Sequence, residues 1–158
     1  MVLRGAIQAN EKQKNKMVEK IKRTMGNLAG KTIAVLGLSY KPETTDMREA
    51  PSINIVKGLV ADGAKIQIYC PEGNQEAKWR LHNEKDEISY CHDVYEAAHD
   101  ADALVLITSW REFKGMDQER VRAAMKDRFF FDFRNLFGDE PPKGFIYSGL
   151  GIPEKEIK

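Results

Sequence analysis

Apolar residues fall into two kinds of spacing along this chain. The unbroken runs Thr32-Ile33-Ala34-Val35-Leu36 and Ala103-Leu104-Val105-Leu106-Ile107 are short and largely branched, the pattern of strands covered on both faces. Between them Ile53, Val56, Leu59 and Val60 recur at helical spacing and stop at Asp62-Gly63. Lys65 to Tyr69 reads as a second strand, residues 73–83 as helix, and Ile88 to Tyr90 as a short strand. Asp93 is placed to cap a helix through His99. A helix from Asp117 to Met125, the strand Phe129-Phe130-Phe131-Asp132 and a last strand at Gly144 to Ser148 complete the series. Strands separated by helices of this length predict right-handed crossovers and an α/β, doubly wound, mostly parallel sheet of five to six strands.

A helix from about Leu3 to Met25 precedes the sheet. Met17, Val18, Ile21 and Met25 give its second half a core-facing stripe, whereas Glu11-Lys12-Gln13-Lys14-Asn15-Lys16 interrupts the stripe in the first half. Gly26 and Asn27 stop the helix, and Lys22 and Arg23 suit its negative end. The polar half reads as the broken end of a longer helix or as a solvated tail, and the lack of helix breakers favours the first.

The loop after the first strand carries the chemistry. Gly37 ends the strand, Tyr40, Lys41, Asp46, Arg48 and Glu49 follow, and Pro51 suits the first turn of the next helix. Ligands of open α/β sheets bind outside the carboxyl ends of strands, and a lysine, an arginine and a helix N-terminus attract anionic groups. The 158 residues, 42% of them hydrophobic, suffice for one domain and an appendage. Twenty-five basic residues balance 24 acidic ones, which argues against nucleic acid or an anionic membrane as partner. Neither a membrane-length apolar run nor a signal-peptide core occurs. Cys70 and Cys91 have no disulfide or CxxC spacing, which fits a reducing, cytoplasmic setting, and His82, His92 and His99 do not pair with them as metal ligands. No metal and no catalytic residue is expected.

A strand running into glycine invites comparison with a dinucleotide site. That site requires three glycines for the tight turn, the close approach to pyrophosphate and the helix packing, and here Leu38, Ser39 and Tyr40 follow Gly37. The loop through Ala50 is also long, and the second strand ends in Cys70-Pro71 where a ribose-binding carboxylate belongs. The fold expected is thus Rossmann-like without its own cofactor site. No P-loop occurs either.

Taken as a pattern, GLSYKPETTDMREAPS closely resembles the loop that opens the C-terminal domain of UDP-glucose dehydrogenases and the wider UDP-sugar and GDP-mannose dehydrogenase family. Thr108-Ser109-Trp110 with Phe113 resembles the family's tryptophan segment, and Asp132-Phe133-Arg134-Asn135 its Asp-Gly-Arg-Asn turn. Asn10 with Gln13 resembles the end of its long central helix, and Tyr147-Ser148-Gly149-Leu150-Gly151 its closing segment. The resemblance implies that residues 1–28 end a central connecting helix and that 29–158 form a UDP-sugar-binding domain. It also implies an NAD-dependent 6-dehydrogenase of polysaccharide biosynthesis, with NAD bound mainly by a domain whose glycine fingerprint this sequence lacks. The cysteine-bearing catalytic segment is absent as well, so the chain alone is not expected to catalyse.

The same resemblance gives Tyr40, Lys41 and Arg134 to the nucleotide-sugar and Arg48 to NAD on the other domain. Independently of it, an ion pair with Asp46 or Glu49 would explain Arg48, ordinary solvation Lys41, packing Tyr40, a helix start or sheet edge Arg134, and core sealing Trp110 and Phe113. Three positions depart from the family: Cys70 before Pro71, Phe133 for glycine, and Ile152 for arginine. Phe133 bears on how Arg134 is aimed, because a side chain excludes φ values open to glycine. Partners expected are a UDP-sugar, the missing NAD-binding and central domains, and a second copy in a homodimer. The alternatives are a stand-alone nucleotide-sugar-binding or regulatory module and a structural assembly domain built on the N-terminal helix. A two-component receiver is disfavoured, since Ser39-Tyr40-Lys41 replaces the acidic cluster after the first strand.

Overall fold

The computed structural model describes residues 2–39, 41–48 and 50–158. A long helix, α1 (Val2–Met25), leads into β1 (Thr32–Leu36), α2 (Pro51–Ala61), β2 (Lys65–Tyr69) and α3 (Asn74–Arg80). A 3-10 segment (His82–Glu87), β3 (Ile88–Tyr90), α4 (Val94–Ala98), β4 (Ala103–Leu106), α5 (Arg111–Lys114) and α6 (Gln118–Ala124) follow. The chain closes with β5 (Phe129–Asp132), β6 (Ile146–Gly149) and β7 (Ile152–Glu156).

The strands form one sheet in the order β3-β2-β1-β4-β5-β6-β7, parallel except for β7, which runs antiparallel to β6. The doubly wound fold read from the sequence is present, with its direction of winding reversing between β1 and β4. Seven strands replace the expected five to six. The added strand is β7, whose Pro153, Glu154, Lys155 and Glu156 are exposed and give no apolar run to detect. A charged, proline-bearing strand is suited to a sheet edge, where it discourages further pairing.

The core follows the apolar runs. Ile33 to Leu36 and all of β4 are buried, and Phe130 packs edge-on against Phe137, Phe145 and Tyr147 at 5.8, 5.5 and 5.6 Å between ring centres. Burial of each such ring contributes roughly 2–3 kcal/mol. Trp110 and Phe113 are buried too, as packing predicts, with Phe113 edge-on to Tyr69 at 6.0 Å.

In the second half of α1, Met17 and Ile21 are buried and Val18 lies over α2 at Gly58, while Lys12, Asn15 and Lys16 are exposed. Gly26 terminates α1 at φ 82°, its N–H donating to the Lys22 carbonyl. Asp93 and Asp117 cap α4 and α6 by accepting from the N–H groups of Glu96 and Arg120. The helix expected over 73–83 is shorter: it ends at Arg80, Leu81 turns into the core, and the wholly polar His82–Glu87 continues as the 3-10 segment.

Candidate functional site

Strand register decides which loops meet. Tyr69, Leu36, Leu106, Asp132 and Gly149 pair successively across β2, β1, β4, β5 and β6, forming one row at the carboxyl edge of the sheet. The residues that follow each of them therefore emerge along one edge. The Lys41 loop leaves β1 and the Arg134 turn leaves β5, with only β4 between them, so their roots are roughly 10 Å apart at the usual strand spacing.

Three buried hydroxyls tie down the root of the first loop. Ser52 donates to the Leu38 carbonyl at 2.5 Å, Thr108 to the Ser39 carbonyl at 2.6 Å, and Ser39 to the Lys41 carbonyl at 2.7 Å. Gly37 adopts φ 85°, and a Cβ there would lie 2.6 Å from the Thr108 Cβ. Its missing side chain thus admits Thr108, not a pyrophosphate. The Leu38 N–H points to the Cys70 Sγ at 3.4 Å, where a ribose-binding carboxylate would otherwise stand. The residues present do not fit an NAD site at this strand end, in agreement with the missing glycine fingerprint.

Beyond its root the loop is exposed and charged. Lys41 is exposed, and its ammonium has no hydrogen-bond or ion-pair partner among the described residues. Arg48 is gripped by Asp46 through Nε at 3.1 Å and Nη2 at 3.2 Å, although its side chain is 80% exposed. Those bonds hold the Asp46 carboxyl below its ordinary value. The ion pair that the sequence offered as an ordinary explanation of Arg48 is therefore present, with Asp46 as the partner. Tyr40 and Glu49 lie outside the described residues, as do the side chains of Asn10 and Gln13, whose backbone runs within α1. Met47 packs toward Gly73, and Thr45 faces Pro71–Glu76 across a cavity of about 460 Å³, so the outer loop leans toward β2 and away from Arg134.

The β5 turn is built differently. The buried Asp132 carboxyl accepts from the N–H groups of Arg134 at 3.2 Å and Phe137 at 2.9 Å and from the Tyr147 hydroxyl at 2.7 Å. Burial first, then that hydrogen bond, pushes the Tyr147 phenol above its ordinary pKa. Phe133 is buried beside Phe131 without needing a positive φ; Asn135 takes the left-handed position at φ 52°. The Asn135 amide donates to the Leu150 carbonyl at 3.3 Å and accepts from the Leu150 N–H at 3.1 Å. Gly149 makes room for it, since a Cβ there would come within 2.3 Å of Asn135 Oδ1. The result is a fixed backbone presenting Arg134, which is exposed and whose guanidinium has no hydrogen-bond or ion-pair partner among the described residues. Asp132, Asn135, Ser39, Ser52 and Thr108 had no individual roles from sequence; only their place in the motifs signalled them.

One side chain of α1 reaches this edge. Lys20 donates to the carbonyls of Gly149 and, at 2.6 Å, Ile152, and burial lowers its pKa while Glu154 opposes that shift. Cavity walls from Met17, Lys20, Phe133 and Leu150 enclose about 400 Å³ beside it. Among the described residues, the amino end of α2 has no acidic residue in its first turn and no side-chain cap. Burial raises the pKa of Cys70 and pushes Cys91 up to about 11, so both thiols stay protonated near neutrality and are poor nucleophiles. Among the described residues, no group of three His, Cys, Asp or Glu side chains is placed to hold a metal, and no helix is long and apolar enough to cross a membrane. Lys41 and Arg134 give this edge accessible cations on loops with anchored roots, an arrangement for binding anions.

Known proteins carry the same architecture. The profile of the UDP-glucose/GDP-mannose dehydrogenase family, UDP binding domain, matches residues 34–139. UDP-glucose 6-dehydrogenase TuaD of Bacillus subtilis (strain 168) is 38% identical over 154 residues, covering 96% of this chain and 33% of the relative. UDP-glucose 6-dehydrogenase of Rhizobium meliloti (strain 1021) is 40% identical, covering 94% and 34%. The structure of UDP-D-ManNAc dehydrogenase from Pyrococcus horikoshii superposes with a TM-score of 0.67 at 27% identity, over 90% of this chain and 30% of that one. This chain thus spans about a third of the length of the relatives it matches. With its sheet, its ordered motifs and its loop edge all in place, the chain belongs to the UDP-glucose/GDP-mannose dehydrogenase family and corresponds to the family's UDP binding domain.

Proposed function

We propose that this domain holds the nucleotide end of a UDP-sugar for an NAD-dependent 6-dehydrogenase whose chemistry is completed by NAD-binding and central domains. The observation that carries the reading is the pair of exposed cations, Lys41 and Arg134, on anchored loops either side of β4. An ammonium and a planar guanidinium on loops rooted roughly two strand spacings apart suit a diphosphate and its neighbouring oxygens. Tyr40 supplies an aromatic face to the same ligand. Arg48 lies on the β2 side of its loop and reaches instead for NAD held by the companion domain, exchanging Asp46 for the cofactor. Residues 1–28 end the connecting helix and 29–158 form the binding domain. Positioning and water exclusion are this domain's share of catalysis, bond chemistry the companion domains'. The enzyme works in the cytoplasm, and its product serves polysaccharide biosynthesis.

Calorimetric titration with UDP, using GDP and NAD as comparators and Arg134→Ala as control, tests the reading. Selective UDP binding lost in the variant is expected. Equal binding of UDP by both proteins would remove Arg134 from the site. Activity regained only on adding the companion domains is the second expected result, and its absence would favour a stand-alone binding module.

A further inference from the structure

We propose that Lys20 of α1 is a positioning residue for Arg134, acting through the β6–β7 turn. The inference rests on the reading of Arg134 as a nucleotide ligand, but its structural basis is independent of that reading.

A chain of hydrogen bonds forms the connection. Lys20 gathers the carbonyls of Gly149 and Ile152, which start and finish the reversal between β6 and β7. Ser148 Oγ donates to the same Ile152 carbonyl at 3.1 Å, closing the reversal from within. At its centre, Leu150 exchanges two hydrogen bonds with the Asn135 side chain, replacing backbone pairing where β5 has already ended. Asn135 is the neighbour of Arg134, and the Arg134 backbone is held on its other side by Asp132. Arg134 thus hangs between a buried anchor and a reversal whose position is set from α1.

The physics makes Lys20 more than a surface tether. Its ammonium is partly desolvated and spends its donors on carbonyls, so removing it takes the side-chain donor from the Gly149 carbonyl, leaves the Ile152 carbonyl to the Ser148 hydroxyl, and frees the reversal to move. Gly151 at φ 73° is the residue within the reversal that can absorb such a movement. Contact with Asn135 admits little slack, since Gly149 already lacks the atom that would collide with Oδ1. A change in the seating of α1 is therefore transmitted to the Arg134 backbone. Since α1 is packed on the domain through Met17, Val18 and Ile21, helix and nucleotide ligand form one mechanical unit.

Lys20→Met keeps the stem and deletes the donors; Lys20→Arg restores them. In nitrogen–proton NMR spectra of the whole chain, Lys20→Met should shift the Arg134, Asn135 and Leu150 resonances and speed Leu150 amide exchange about tenfold, leaving resonances at the β2 end unchanged. Lys20→Arg should restore the spectrum. Asn135→Ala should shift Arg134 in the same way, and adding Lys20→Met to it should shift Arg134 no further. Unchanged Arg134 and Leu150 resonances in a folded Lys20→Met protein would overturn the proposal whether or not UDP binds. Should Lys20→Met fail to fold, Asn135→Ala with native Lys20 decides: an Arg134 resonance indifferent to Asn135 breaks the connection. In UDP titrations Lys20→Met should weaken binding about fivefold and have no further effect in an Arg134→Ala background. Full UDP affinity in Lys20→Met combined with a loss in Arg134→Ala would refute Lys20 positioning and keep the site. Undiminished affinity in Arg134→Ala would refute the site reading, while the spectra still decide the connection.

Discussion

Arg48 and Arg134 are both exposed arginines on carboxyl-edge loops, yet the ground beneath them differs. Arg48 stands on a charged stretch between Met47 and Ala50, with its guanidinium occupied by Asp46 two residues away. Arg134 stands on a turn whose backbone is fixed by the buried Asp132 and by Asn135, with its guanidinium left to solvent. At Arg48 the charge is satisfied and only the root of the loop is anchored; at Arg134 the backbone is anchored and the charge is available. A group kept ready for a ligand needs fixed backbone and unspent donors, and of the two arginines Arg134 meets both conditions.

The largest effect should come from removing the anchor itself. Asp132→Ala strands the Arg134 and Phe137 N–H groups and the Tyr147 hydroxyl, and should cost about 3 kcal/mol or more in denaturant unfolding. A loss below about 1 kcal/mol would mean that the carboxyl does not hold the turn. At the root of the other loop, Gly37→Ala should cost about 2 kcal/mol, because the new Cβ meets Thr108 and φ is positive. Both anchors would then be structural, and the contrast would lie only in what stands above them.

Next comes ligand affinity: Arg134→Ala should weaken UDP binding at least about tenfold while leaving the unfolding midpoint unchanged, since the guanidinium has no partner among the described residues. A shifted midpoint would show that the donors are spent within the fold.

Acid and base should then strike the two regions separately. The folded Tyr147 phenol titrates above 10.0, so above that pH the unfolded chain loses its proton first and stability falls as pH rises. Tyr147→Phe should flatten this alkaline limb, by about 1 kcal/mol per pH unit, in thermal unfolding followed against pH. The folded Asp46 carboxyl titrates below 3.8, so its contribution is present above that value and fades as pH falls through the lower folded pKa. Asp46→Asn should remove only this weak acid dependence.

Smallest of all, Arg48→Ala should leave the unfolding midpoint essentially unchanged, since an exposed pair with Asp46 contributes little. If Arg48 serves NAD on a companion domain, the same variant should raise the KM for NAD in the reconstituted enzyme and spare UDP affinity. Equal losses for both ligands would erase the distinction between the two arginines.

Much of the fold was legible because short branched runs and helical spacing carry their own signal: β1, β2, β3 and β5 fall where the runs lie. The family was legible from ordered motifs. β7 escaped because its stability comes from pairing with β6 and not from apolar residues of its own. Arg134 could be singled out, but its setting could not, since Asp132, Tyr147 and Asn135 act across 2 to 15 residues of sequence. Nor could sequence separate the uses of glycine: Gly37 and Gly149 accommodate Thr108 and Asn135, contacts that exist only once the strands are in register.

Sequence by itself determined the doubly wound sheet, the absence of a dinucleotide fingerprint and the charged loop behind the first strand, because hydrophobic period and local backbone chemistry act between near neighbours. Tertiary structure alone decided which cation is spent and which is available, how Thr108 closes the strand end, and how Lys20 meets the β6–β7 reversal. Those outcomes depend on parallel register aligning Leu36, Leu106, Asp132 and Gly149 in one row, a relation between segments far apart in the chain that no local pattern contains.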